Sequence, residues 1–198
     1  GSAKYVPIDE KHPLSAQSPY SASKISADHL AMSYWNSFKL PIKIIRPFNT
    51  YGPRQSSRAV IPSIIIQALK STTEINLGNI NPSRDFTYVS DVCNAFLELI
   101  KIEKFFGQTI NVGSNNEFTI KNIVEKILFK LDSKAIIKRE EERTRSPESE
   151  VTRLVCDNTK ILKNTKWKPE IKIDQGLDMT IEWLKKFRDL YKYNIYHV

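Results

Sequence analysis

Tyr20 and Lys24 stand four residues apart in the stretch "SPYSASK", directly after a Ser-Pro pair. A phenol titrates near ~10 in water, and a fixed ammonium beside it favours the phenolate, so this pair could serve as a general base at working pH. The chain has 8 tyrosines, and in a lysine-rich sequence about one Tyr-x-x-x-Lys is expected by chance. This is the one that occurs. Spacing alone therefore leaves two readings open, an incidental surface pair and an acid/base pair. A second set of side chains suggests anion binding. Arg54, Arg58, Arg84, Arg145 and Arg153 fall in predicted loops beside polar turn residues. Guanidinium forks there suit the phosphate oxygens of a small ligand. His12, His29 and His197 have no partner pattern, and Cys93 and Cys156 form no Cys-x-x-Cys or Cys/His set, so no metal site is expected.

The elements that must hold these residues can be read in order. Ser18 is a helix cap and Pro19 fits the first helical position, which predicts a helix over 19–38 carrying Tyr20 and Lys24 on one face. Ile42, Ile44 and Ile45 make a strand stopped by Pro47 and the Gly52-Pro53 turn. "AVIPSIIIQALKS" reads as a buried helix, "EINL" as a strand, and "GNINPSRD" as a loop before the strand "FTYV". Ser90 is expected to cap the amphipathic helix "DVCNAFLELIKI". There follow a strand "TINVG", a Thr119-capped helix to about 131, a strand "AIIKRE" and the charged loop "EERTRSPESEVTR". After "LVCD" come a short helix and a last amphipathic helix over 177–191. Asp91 and Asp157 read as helix caps or anchors. Strands alternating with helices, without repeats or linkers, predict an α/β fold.

With 198 residues, 40% of them hydrophobic, the chain can bury a core as one domain or a domain with a lobe. The net charge of +8 raises nucleic-acid binding, but the lysines are scattered and no basic block is interleaved with aromatics, so no nucleic-acid partner is expected. No signal peptide is seen, and no apolar run approaches the ~20 residues of a membrane span. A reduced, cytoplasmic setting without membrane contact fits the two separated cysteines. The 6 glycines are unclustered, and no strand leads into Gly-x-Gly-x-x-Gly or a Walker loop. These residues hold no pyrophosphate cradle of their own.

"SPYSASK" is followed by "RPFNTYGPR", "RDFTYVSDV" and "INVGS". In that order and spacing, across nearly the whole chain, the sequence resembles the extended short-chain dehydrogenase/reductases of the nucleotide-sugar epimerase/dehydratase kind. "NTYGPRQSSRAVIP", "RDFTYV" and "SEVTRLVCD" are similar to NAD-dependent 4,6-dehydratases, especially those acting on nucleoside diphosphate N-acetylhexosamines. The resemblance implies that 1–198 is a C-terminal portion, in which the end of a Rossmann-type parallel sheet is interleaved with a smaller α/β substrate-binding lobe. The glycine-rich NAD-binding half would lie upstream, with the Ser/Thr that hydrogen-bonds the substrate hydroxyl and the Asp-Glu pair used in elimination. Gly1-Ser2-Ala3 is then either a cloning remnant or the end of the preceding strand.

By this resemblance Tyr20 is the base at the sugar C4 hydroxyl, and Lys24 supports it and binds the nicotinamide ribose. Pro47 and Thr50 lie near NAD. Asn49, Val60, Leu77, Arg84, Asn111 and Arg145 lie on the nucleoside diphosphate sugar, with Arg84 clamping its pyrophosphate. The bland alternatives are an Asx turn for Asn49, an Arg84–Asp85 ion pair, and plain core positions for Val60 and Leu77. The implied activity is C4 oxidation, loss of water across C5 and C6, and reduction at C6, by a homodimer joined through the first helix. The 198 residues alone would be inactive. The rivals are a 4-epimerase and a non-catalytic nucleotide-binding or assembly module.

Overall fold

Ser18 starts α1 (Pro19–Phe38) with a reciprocal capping box, in which its hydroxyl accepts the Ser21 N–H and Ser21 returns the bond to the Ser18 N–H. The computed structural model describes residues 1–70, 73–140 and 150–191. No residue of α1 is buried. The helix is held at one side by the Asp28–Arg46 ion pair (2.7 Å) and by Trp35 stacked on Phe106. Gly107, at φ +69°, sits under the Trp35 indole, where an added Cβ would overlap the ring.

Two hydrophobic cores divide the chain. In the first, β1 (Lys43–Pro47) and β5 (Gln108–Val112) run parallel, covered by α3 (Val89–Ile100) and α5 (Thr159–Asn164). Ala95, Leu99, Ile110, Val112, Ile161 and Trp167 fill it. Only Ile44 of β1 is buried, whereas β5 is buried over 110–112. The outer edge of β5 is sealed by charged side chains. Lys160 Nζ donates to the Thr109 carbonyl (2.7 Å), and Glu10 accepts the Asn111 N–H (2.9 Å).

The second core is larger. The sheet β2 (Asn49–Tyr51), β4 (Ser83–Tyr88), β6 (Glu117–Thr119) and β8 (Arg153–Leu154) and the parallel pair β3 (Glu74–Leu77) and β7 (Ile136–Arg139) frame it. It is packed by α2 (Val60–Lys70), α4 (Ile120–Lys130) and α6 (Ile173–Lys186). Ile64, Ile65, Ile75, Ile123 and Ile127 are fully buried there, each worth about 1.5–3 kcal/mol of transfer free energy. The chain alternates between the cores, passing from β1 into the second, back through α3 and β5, out again through α4, back to α5, and into α6.

Asp85 ties the two together. Its buried carboxylate accepts the Ser114 N–H and hydroxyl, the Asn115 N–H and the Cys156 N–H, at 2.6–3.1 Å. Burial still raises this carboxyl above the ordinary range, against those four donors.

The expected helix 19–38 and strand "EINL" coincide with α1 and β3, and Thr119 caps α4 in a box with Asn122. Three boundaries differ. Strand β4 starts at Ser83, because β6 and β8 pair with residues that look like a loop in sequence. The cap of α3 is Tyr88, so Ser90 lies within its first turn rather than capping it. Helix α6 starts at Ile173, earlier than the 177 expected, and a 3-10 turn over Arg188–Leu190 replaces its end. The short strands β2, β6 and β8 have no counterpart in the sequence reading.

Candidate active site

Tyr20 follows Pro19 at the start of α1 and is 72% exposed. One turn on, Lys24 Nζ lies 5.6 Å from the centroid of the Tyr20 ring. Helical spacing alone produces this approach. The other well-ordered tyrosines in the sheet are of another kind. Burial pushes the Tyr51 phenol well above its ordinary range, reinforced by Tyr88, Asp91 and Asp174. Tyr88 is raised for the same first reason. Neither is suited to take a proton.

Pro47 is exposed at the carboxyl end of β1, and Phe48 N–H bonds the Val112 carbonyl (2.8 Å) to close the parallel pair. Ligands of open α/β sheets bind at this end. Asn49 and Thr50 open β2, half-buried opposite Phe86 and Thr87. Gln55 Nε2 donates to the Thr50 carbonyl (2.7 Å), and Gly52 at φ +145° turns the chain where a Cβ would meet Val89 Cγ1 at 2.7 Å. The loop is thus held, and Asn49 begins a strand instead of an Asx turn.

Arg84 is on β4, facing away from Asp85 as alternate strand residues do. Its Nη1 donates to the Ser83 carbonyl (2.8 Å), and its Nη2 pairs with Glu150 Oε1 at 3.6 Å. Both side chains are largely covered, at 12% and 17% exposure. The ion pair formed is with Glu150, while Asp85 is engaged by Ser114, Asn115 and Cys156. A chain of contacts leads from here to α1. The Glu150 carbonyl accepts the Ser2 hydroxyl (3.3 Å), Ser2 Oγ accepts Gln17 Nε2 (3.1 Å), and Gln17 immediately precedes the Ser18 cap. Arg84 is therefore linked through Glu150, Ser2 and Gln17 to the start of the tyrosine-bearing helix. Glu150, Ser2 and Gln17 were not singled out by sequence, since nothing local in "SEVTR" or "AQSPY" shows that they meet.

The remaining candidates separate. Val60 begins α2, half-buried against the second core. Leu77 is 6% exposed and places its side chain in that core. Asn111 is 2% exposed, and its amide donates inward to the Ile8 carbonyl (3.0 Å). It anchors the segment that leads toward Tyr20. Arg145 lies outside the described residues. Asp91 accepts the Glu170 and Ile171 N–H groups, and Asp157 the Thr159 N–H at the start of α5, so both anchor backbone. Among the described residues no group of three His, Cys, Asp or Glu could hold a metal ion, and no helix is long and apolar enough to cross a membrane.

Residues 1–180 match the GDP-mannose 4,6 dehydratase family. The chain belongs to this family. It is 30% identical over 184 residues to a dTDP-glucose 4,6-dehydratase of Xanthomonas campestris, covering 88% of this chain and 51% of that protein. A dTDP-glucose 4,6-dehydratase of Bacillus anthracis, solved in complex with NAD, superposes with a TM-score of 0.84 at 29% identity, over 96% of this chain and 60% of that one. A UDP-glucuronic acid 4-epimerase of Bacillus cereus, in complex with UDP-glucuronic acid and NAD, gives 0.86 at 26% identity, over 94% and 58%. The chain thus spans between half and three fifths of these relatives' length. Like these solved structures, it has an α/β, Rossmann-type fold with parallel strands.

Proposed function

We propose that these residues form the tyrosine-bearing and substrate-binding portion of an NAD-dependent nucleotide-sugar 4,6-dehydratase. One observation carries the reading: Tyr20 is exposed in the first turn of α1 with Lys24 one turn behind it, and contacts through Gln17, Ser2 and Glu150 link that helix to Arg84. The residues fit the nicotinamide end of NAD, since Tyr20 and Lys24 present polar ends to solvent on the helix that Asp28 ties to Arg46, the neighbour of Pro47 on the strand that leads to Thr50. No glycine-rich turn for its pyrophosphate occurs in the 198 residues. NAD bound there supplies the hydride acceptor and donor for the sugar.

The chain's own residues do the rest of what falls to this portion. Tyr20 Oη takes the proton of the sugar C4 hydroxyl, and Lys24 orients and stabilises the phenolate. Arg84 holds the diphosphate by charge-assisted hydrogen bonds, with Asn49 and Val60 alongside. A 4-keto group acidifies the C5 proton, which makes loss of water across C5 and C6 feasible. Exposed Leu30, Tyr34 and Phe38 lie along one line of α1 and support a homodimer through that helix. The free thiols Cys93 and Cys156 support a cytoplasmic setting.

The likeness to the Bacillus cereus enzyme favours 4-epimerisation as a second reading, since the same Tyr and Lys would serve it. Two measurements test the proposal. The 198-residue polypeptide should bind a nucleoside diphosphate sugar in calorimetry and form no 4-keto sugar. Joined to a glycine-rich NAD-binding half, it should release a 4-keto-6-deoxy sugar nucleotide. Recovery of only the C4 epimer would replace dehydration with epimerisation, and absence of any nucleotide binding would overturn both.

A further inference from the structure

Strand β8 is two residues long, yet it carries Glu150 to Arg84. Its backbone hold on β4 consists of the pairings Ser83–Arg153 and Arg84–Leu154, with the Ser83 N–H donating to the Thr152 carbonyl (2.9 Å). So short an edge strand frays readily. Behind it is a side-chain tie. Arg153 donates from Nε and Nη2 to the two carboxylate oxygens of Glu117, both at 2.7 Å, and the Ser83 hydroxyl donates to the same carboxylate. Three strands, β4, β6 and β8, are joined at one point. Alternation puts Ser83, Glu117 and Arg153 on one face of the sheet and Arg84 with Leu154 on the other.

We infer that Glu117 and Arg153 form a latch that positions the diphosphate site from behind the sheet, by fixing β8 so that Glu150 meets Arg84. The assignment of that site rests on the proposed function. The latch itself does not, because its immediate effect is the place of Glu150 in the free chain. Bidentate guanidinium–carboxylate geometry is what a register-setting tie needs, because it fixes direction as well as distance. The paired ionic groups hold Glu117 down to about 2, with the Arg153 bonds the first cause and the Ser83 hydroxyl the second. Glu117 is therefore ionised at neutral pH and able to accept both Arg153 bonds.

The test has two arms on the 198-residue chain. In the absence of ligand, Glu117→Gln should shift the Arg84 side-chain nitrogen resonances toward those of Glu150→Gln and speed hydrogen exchange at the Ser83 amide. Arg153→Lys, which keeps the charge and loses the fork, should do the same and serves if the first variant folds poorly. In the second arm, calorimetry with UDP, GDP and dTDP selects the tightest probe. Glu117→Gln should weaken it about tenfold, within the range of coupled neighbours. That loss should largely vanish when Glu150 is already Gln, and binding of the bare nucleoside should not change. Unaltered Arg84 resonances, or a loss that persists in full without Glu150, would overturn the latch. A wild-type chain that binds none of the three diphosphates sinks the proposed function, while the resonances still decide the latch.

Discussion

Tyr20→Phe removes one oxygen from an exposed ring and leaves the rest of α1 untouched. In an enzyme completed by its NAD-binding half, kcat should fall by about 10²–10⁴-fold, as for loss of a general base, with substrate affinity nearly unchanged. Retention of a tenth or more of the wild-type kcat would give the proton to another group. Arg84→Ala tests the proposed diphosphate contact. Losing a hydrogen bond to a charged group costs about 1.5–3 kcal/mol, so nucleoside diphosphate affinity should drop by roughly ten- to a hundred-fold. Arg84→Lys should restore only part, because a point charge does not copy the fork. A variant that melts early but binds normally once folded would reduce Arg84 to a structural ion pair with Glu150. The place of Tyr20 on a capped helix, one turn from Lys24, was legible in sequence because cap, helix and lysine are all local. Glu150 was not, because its meeting with Arg84 depends on β8 crossing to β4, and no periodicity announces a two-residue strand.

Elements were legible where burial and caps agree. Ser18 and Thr119 both stand before a helix whose first turn returns the bond, and both were read correctly. Ser90 looked equally good, but the chain becomes helical one residue before it because the strand of Tyr88 runs directly into α3. Strand β6 escaped because its three residues match no repeat and pair only through β4. Its Glu117 has a measurable signature. A carboxylate held down to about 2 stabilises the fold fully above the ordinary glutamate value, and that stabilisation is lost as the pH falls toward the folded value. Melting curves of the wild type between about pH 5 and pH 2.5 should therefore fall more steeply than those of Glu117→Gln. Parallel curves would mean that the Arg153 and Ser83 bonds contribute nothing to stability.

At the scale of the molecule, α1 offers the plainest test. Leu30, Tyr34 and Phe38 are exposed on a helix with no buried residue. If the chain joined to an NAD-binding half dimerises through α1 as proposed, Leu30→Glu combined with Tyr34→Glu should give a monomer in light scattering, because two charges in a desolvated helix face repel and lose solvation. An unchanged mass would move the interface elsewhere. The α/β class was legible from the alternation of strands and helices, whereas two interleaved parts were expected from the resemblance alone, since hydrophobic residues do not declare which core they join. That division has a consequence for how the protein is made. The first core waits for Ile161 and Trp167, and the second waits for Leu177, Ile181 and Leu184. Both cores join residues before 100 to residues beyond 160, so a ribosome must deliver most of these residues before either core can close.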